Sequence, residues 1–78
     1  MLYRPNTEQI KNLREKNGLS RFGLSKKAGM GGSALYRIET GTTESVHHLS
    51  AKAIAKALSC EVEDIFSPCV ARTKEPSA

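Results

Sequence analysis

The sequence predicts an all-α, compact five-helix domain, and three observations predict it. Apolar residues recur at helical spacing, as in Ile10 and Leu13, Leu24 and Ala28, Leu35 and Ile38, and Ile54 and Leu58. Glycine or a run of turn formers interrupts that pattern at Gly18, at Gly29 and over Thr40–Ser45, so each helix is short. No alternating apolar–polar run reads as a strand, and no repeat or low-complexity block appears. Seventy-eight residues make one domain with a modest core.

The elements follow in order. Residues 1–5 read as an arm, because Pro5 blocks a helix from extending backwards. Asn6 and Thr7 both suit an N-cap, and Gln9 stands three places after Asn6. Helix 1 then runs to about Asn17 and stops at Gly18, with Ile10, Leu13, Arg14 and Asn17 on one face. Arg14 on that inner face requires an acidic partner. Ser20 caps helix 2, about residues 20–28, and Gly29 ends it in a left-handed conformation. Helix 3 covers about 31–39. After the 40–45 loop, Ser45 is the expected cap of helix 4. The inner arc of helix 4 is read as Val46, Leu49, Ala53, Ile54, Ala57 and Leu58, with His48, Lys52 and Lys56 outward. Helix 5, around Val62–Phe66, closes a folded domain of residues 1–66, and residues 67–78 read as a flexible tail.

The charge distribution points to a polyanion. Residues 1–37 carry eight Lys/Arg against two Glu, whereas residues 38–78 carry four against six Asp/Glu. A soluble protein with scattered lysines accounts for the charge equally well, so pattern must decide. The pattern is two helices meeting at a glycine turn, with Ser33, Tyr36 and Arg37 on the free face of the second. That is the layout of a helix-turn-helix DNA reader. Cys60 and Cys69 have no histidine at ligand spacing, so no metal site is expected, and no cofactor either. No signal peptide or membrane-spanning run is visible, and the cytoplasm is the expected compartment, with both thiols reduced. No nucleophile–base pair or carboxylate pair appears, and Gly29–Gly32 lacks the Lys-Ser/Thr of a phosphate loop, so an enzyme is not expected.

Over residues 7–66 the chain resembles the Cro/CI-type, lambda-repressor-like helix-turn-helix DNA-binding family. The resemblance is carried by Ile10, Leu13, Arg14, Gly18, Leu19, Ser20, Leu24, Gly29, Leu35, Ile38, Glu39, Gly41, Ile54, Ala55, Leu58, Ile65 and Phe66, in this order and spacing. It implies a structural ion pair between Arg14 and Glu39. It makes helix 3 the recognition helix and places Gly32, Ser33, Tyr36 and Arg37 at its DNA-facing positions. It puts Arg21 where a glutamine commonly meets a phosphate, and Thr40, Thr42 and Thr43 along the DNA backbone. The chain departs from the family pattern at Gly31-Gly32, which replaces a polar cap and reader. Ser25 stands where alanine is usual, and Phe22 where a charged residue is usual.

The expected function is therefore a sequence-specific transcriptional regulator, its partner double-stranded DNA read through the major groove. The alternative is a protein-interaction module on the same fold, an antitoxin or accessory factor. Arg37 is the first candidate base reader, while Tyr36 serves contact or core edge equally. At least one of Lys26 and Lys27 belongs to a solvated face. His47 and His48 read as surface residues, Cys60 as a packed thiol, and Phe22 as a peripheral core residue or a protein contact. A weak homodimer is expected, with residues 59–70, Cys69 and Val70 included, as its candidate surface.

Overall fold

The computed structural model describes residues 2–68. Five helices, α1 (Thr7–Lys16), α2 (Arg21–Lys27), α3 (Ala34–Glu39), α4 (His48–Ala57) and α5 (Val62–Ile65), form the bundle. Three short strands, β1 (Leu2–Pro5), β2 (Val46–His47) and β3 (Phe66–Pro68), lie against it. Every helix places one aliphatic side chain in the centre with no solvent exposure: Ile10, Leu24, Leu35, Ile54 and Ile65. Burying a side chain of this kind contributes about 1.5–3 kcal/mol, which is why short helices with weak intrinsic stability hold together.

The first, second and fourth helices end in the same way. Past the last turn of α1, the N–H of Gly18 donates to the Glu15 carbonyl and that of Leu19 to the Arg14 carbonyl. The same pair of bonds runs from Gly29 and Met30 to Lys26 and Ser25, and from Ser59 and Cys60 to Lys56 and Ala55. Each is a Schellman cap, which needs a left-handed residue at its centre and sets an apolar residue immediately after it. Gly29 supplies that conformation after α2, at φ 75°. After α4 it is Ser59, at φ 58°, that takes the left-handed backbone glycine adopts without strain. The following residues, Leu19, Met30 and Cys60, are all partly buried against the core. Cys60 is thus a packing residue. Burial, then the neighbouring Asp64 and Glu61 carboxylates, push its thiol above the ordinary range.

The sheet is the feature that the sequence did not announce. The first residues are not a free arm: β1 is the central strand, antiparallel to β2 through Leu2↔His47 and Tyr3↔Val46. On its other side β1 pairs with β3 through Tyr3↔Pro68, Arg4↔Ser67 and Pro5↔Phe66. Ser67 and Pro68 therefore belong to the fold and not to a tail, while residues 69–78, with the dimer candidates Cys69 and Val70, lie outside the described residues. The Tyr3 and Phe66 rings meet edge to face, 6.4 Å apart, and close the sheet onto the bundle. Strands of two to four residues are too short to show a two-residue period, and Pro5 and Pro68 read as breakers.

Two helix boundaries differ from the sequence expectation. Helix 3 begins at Ala34, not at 31, because Gly31–Ser33 form a turn. Helix 4 begins at His48, and its cap is His47, whose Nδ1 accepts the Leu49 N–H at 3.3 Å; Ser45 does not cap it. Val46 is strand, so counting it as helical wrongly draws Leu49, three residues on, onto the inner arc, whereas Ile54, Ala57 and Leu58 are inward and Lys52 and Lys56 outward as expected. The inner arc is Ala51, Ile54, Ala55, Ala57 and Leu58, while Leu49 is 64% exposed. At about 100° per residue Leu49 lies roughly opposite Leu58. The same shift leaves His48 half-buried, with its Nδ1 enclosed and unpaired. Asn17 is likewise exposed: it is the C-cap of α1, and its side-chain amide donates to the Leu13 carbonyl.

Candidate nucleic-acid interface

The interface is built from α2, the turn after it and α3. Ser20 caps α2 by accepting the Gly23 N–H at 2.9 Å, which fixes Arg21 as the first helical residue. The α3 helix has no such cap of its own, since the Ser33 side chain makes no capping bond. Ser25, fully buried on α2, fills the gap. Its hydroxyl donates to the Arg21 carbonyl and accepts the Leu35 N–H, both at 2.9 Å. One hydroxyl therefore ties the start of α3 to the middle of α2 and fixes the relation between the two helices. A serine at a position where the family pattern has alanine was the signal in the sequence.

Arg14 ties the far end of α3 to α1. Its Nε donates to Glu39 Oε2 at 2.7 Å and its Nη2 to Glu39 Oε1 at 3.2 Å, a two-pronged pair between side chains only 10% and 6% exposed. Nη1 donates to the Leu19 carbonyl at 2.8 Å, while the Leu19 N–H returns to the Arg14 carbonyl. The α1–α2 connection is thus closed from both sides. Glu15, 4.0 Å away and exposed, adds little.

Between these two ties, α3 turns Leu35 and Ile38 into the core and leaves Ser33, Tyr36, Arg37 and Thr40 on the open side. Their spacing of three, four and seven residues makes one stripe. Tyr36 is 53% exposed. The Arg21 guanidinium carbon sits 5.1 Å from the centre of the Tyr36 ring, a cation–π contact joining the first turn of α2 to the stripe. The threonines have different duties. The Thr40 hydroxyl donates to the Tyr36 carbonyl at 2.8 Å and the Thr43 N–H donates to the Arg37 carbonyl at 3.0 Å, so both finish α3. Thr42 is exposed, with its hydroxyl 3.2 Å from that of Thr40. Lys26 and Lys27 occupy the last turn of α2, where a cation complements the helix dipole, and Lys27 borders Lys56 on the α4 side.

Gly32 brings no side chain to the stripe, and its neighbourhood explains the glycine. A Cβ built there would lie 2.6 and 2.8 Å from two ring carbons of Phe22. The ring of Phe22 covers the Gly32 backbone while remaining 63% exposed. Two separate departures in sequence, an aromatic at 22 and a glycine at 32, are one arrangement in space. Among the described residues no three His, Cys, Asp or Glu side chains converge in a way that would hold a metal ion. No helix of the described residues is long and apolar enough to cross a membrane.

Comparison with known proteins places the chain in a family. The family model for the Cro/C1-type helix-turn-helix DNA-binding domain matches residues 9–68. Among solved structures, the chain is similar to SinR, the master regulator for biofilm formation, crystallised in complex with DNA. The two share 26% sequence identity with a TM-score of 0.69, over 73% of this chain and 90% of that one. A search of the curated proteins finds no match.

Proposed function

The chain belongs to the Cro/C1-type helix-turn-helix DNA-binding family, and from that premise we propose that it is a sequence-specific transcriptional regulator which reads operator DNA in the major groove. The observation that carries the proposal is the exposed stripe Ser33–Tyr36–Arg37–Thr40, held at one end by the Ser25 hydroxyl and at the other by the Arg14–Glu39 pair. A recognition helix discriminates only if its orientation is fixed, and both ties act on that orientation. Arg37 donates to a guanine edge, the commonest specific contact. Arg21, stacked on Tyr36, reaches a phosphate, and Thr42 with the backbone around it follows the sugar–phosphate chain. Ser33 and Tyr36 complete the reading face, and Gly32 shapes it. Helix α3 has six residues, so one domain makes few base contacts. Two copies on half-sites about 34–36 Å apart supply the discrimination that one lacks.

The test is binding of the full chain to duplexes enriched from a random pool, titrated against salt. Phosphate contacts give a linear fall of log affinity with log salt. Arg37→Ala weakens the enriched site by about 1–3 kcal/mol and relaxes one base position, whereas Arg21→Ala weakens enriched and random DNA alike and flattens the salt slope. Sedimentation of the same complexes gives the number of chains bound. Failure to enrich any sequence, with salt-independent binding, would refute the regulator.

A further inference from the structure

The contact between Phe22 and Gly32 lies beside the reading stripe, yet none of the roles assigned so far uses it. Phe22 follows Arg21 on α2, and Gly32 immediately precedes Ser33, the first residue of the stripe. The ring lies where a side chain at position 32 would begin, as the 2.6 and 2.8 Å approaches of its Cε1 and Cδ1 to a built Cβ show. Only glycine leaves that space. The outcome is a phenyl ring seated at the head of the recognition face and largely open to water.

We infer that Phe22 reads DNA: its ring stands in for the missing side chain at position 32 and packs on the C5-methyl group of a thymine. That methyl is the one apolar feature that base pairs present in the major groove, and phenylalanine is among the side chains suited to it. The inference rests on the DNA-binding function proposed above and adds a second specificity determinant, supplied by α2. A protein partner is the rival occupant. The surroundings favour DNA, because the ring lies over Gly32, next in the chain to the stripe that carries Tyr36 and Arg37, and Phe22 follows Arg21 at the start of α2, in the basic half of the sequence. Of the other large hydrophobic residues that stand exposed among those described, Leu2 and Leu49 belong to β1 and α4, and Tyr36 belongs to the stripe itself, so no exposed aliphatic side chain of that size joins Phe22 on α2 or α3.

The experiment replaces each thymine of the enriched duplex, one at a time, by deoxyuridine, which lacks only the methyl group. At one thymine per bound domain, the wild-type chain loses about fourfold in affinity, the equivalent of about 0.8 kcal/mol for one methyl group taken out of water. Phe22→Ala binds the thymine and uracil duplexes equally at that position, Phe22→Leu keeps part of the difference, and Gly32→Ala reduces it by displacing the ring. Thermal melts establish that each variant is folded. If no thymine is methyl-sensitive in the wild type, or if folded Phe22→Ala keeps the full difference, Phe22 is not a reader. The regulator itself then still stands provided that Arg37→Ala relaxes its base. If no duplex is enriched at all, both proposals fall together.

Discussion

Removing either partner of the Arg14–Glu39 pair has a cost that the geometry ranks in advance. Arg14→Met keeps most of the apolar stem but leaves the Glu39 carboxylate, whose side chain is 6% exposed, without either of its donors. It also strips the Leu19 carbonyl of its guanidinium donor. Glu39→Met leaves a buried guanidinium that still holds Leu19. Breaking a buried pair on one side costs about 3–5 kcal/mol. A chain of this length has a total stability of about 4–12 kcal/mol at roughly 0.05–0.15 kcal/mol per residue. Each single change therefore removes a large share of it, and Arg14→Met removes more than Glu39→Met. The double variant replaces a charged pair by two side chains of similar length, and it costs less than the sum of the singles by about 0.5–3 kcal/mol. Urea melts followed by far-ultraviolet circular dichroism measure all four proteins. With a slope near 1 kcal/mol per molar, the midpoint falls by about 3 M for a single change, and an excluded osmolyte keeps marginal variants in range. Additive losses, or single losses below about 1 kcal/mol, would refute a coupled buried pair.

Three further outcomes follow from the same contacts. Ser25→Ala strands the Leu35 N–H in the core and costs about 1–3 kcal/mol; because the start of α3 loosens, specific DNA binding should fall more than random binding, and equal falls would count against Ser25 as its tether. Ser59→Gly relieves the left-handed backbone at the end of α4 and raises stability by roughly 0.5–1 kcal/mol, less the entropy that glycine adds to the unfolded chain; a lower melting temperature would contradict it. Burial and two carboxylates raise the Cys60 thiol, so the folded state binds the proton more tightly than the unfolded one. Its contribution to stability is full below the ordinary thiol range and is lost as pH rises through the folded value. In a Cys69→Ser chain, alkylation of Cys60 at pH 8–9 should be slower than in urea, and equal rates would show an unperturbed thiol.

Much of this protein was legible in its sequence because the signals are local. Helical spacing placed Ile10, Leu24, Leu35 and Ile54 inside, and each is fully buried. Gly29 after Ala28 marked a left-handed helix end, since a side chain there would be strained. An arginine on the inner face of helix 1 demanded an acid, and Glu39 is 2.7 Å away. What the tertiary structure alone decided depends on residues far apart in the chain. β1 pairs with segments more than forty residues later, and strands of two to four residues carry no period from which such pairing could be read. The first turn of α4 was misread for the same reason, because Val46 belongs to that sheet and not to the helix that follows it, while Ile54, Ala57 and Leu58 lie inside as their spacing required. Ser25 and Phe22 showed only as unusual residue types. Their meaning, a buried hydroxyl that caps another helix and a ring that occupies the space over a glycine, exists only once α2 and α3 are packed together. Periodicity records which face of a helix is buried, but not what stands opposite, and in this domain what stands opposite sets the shape of the exposed face of α3.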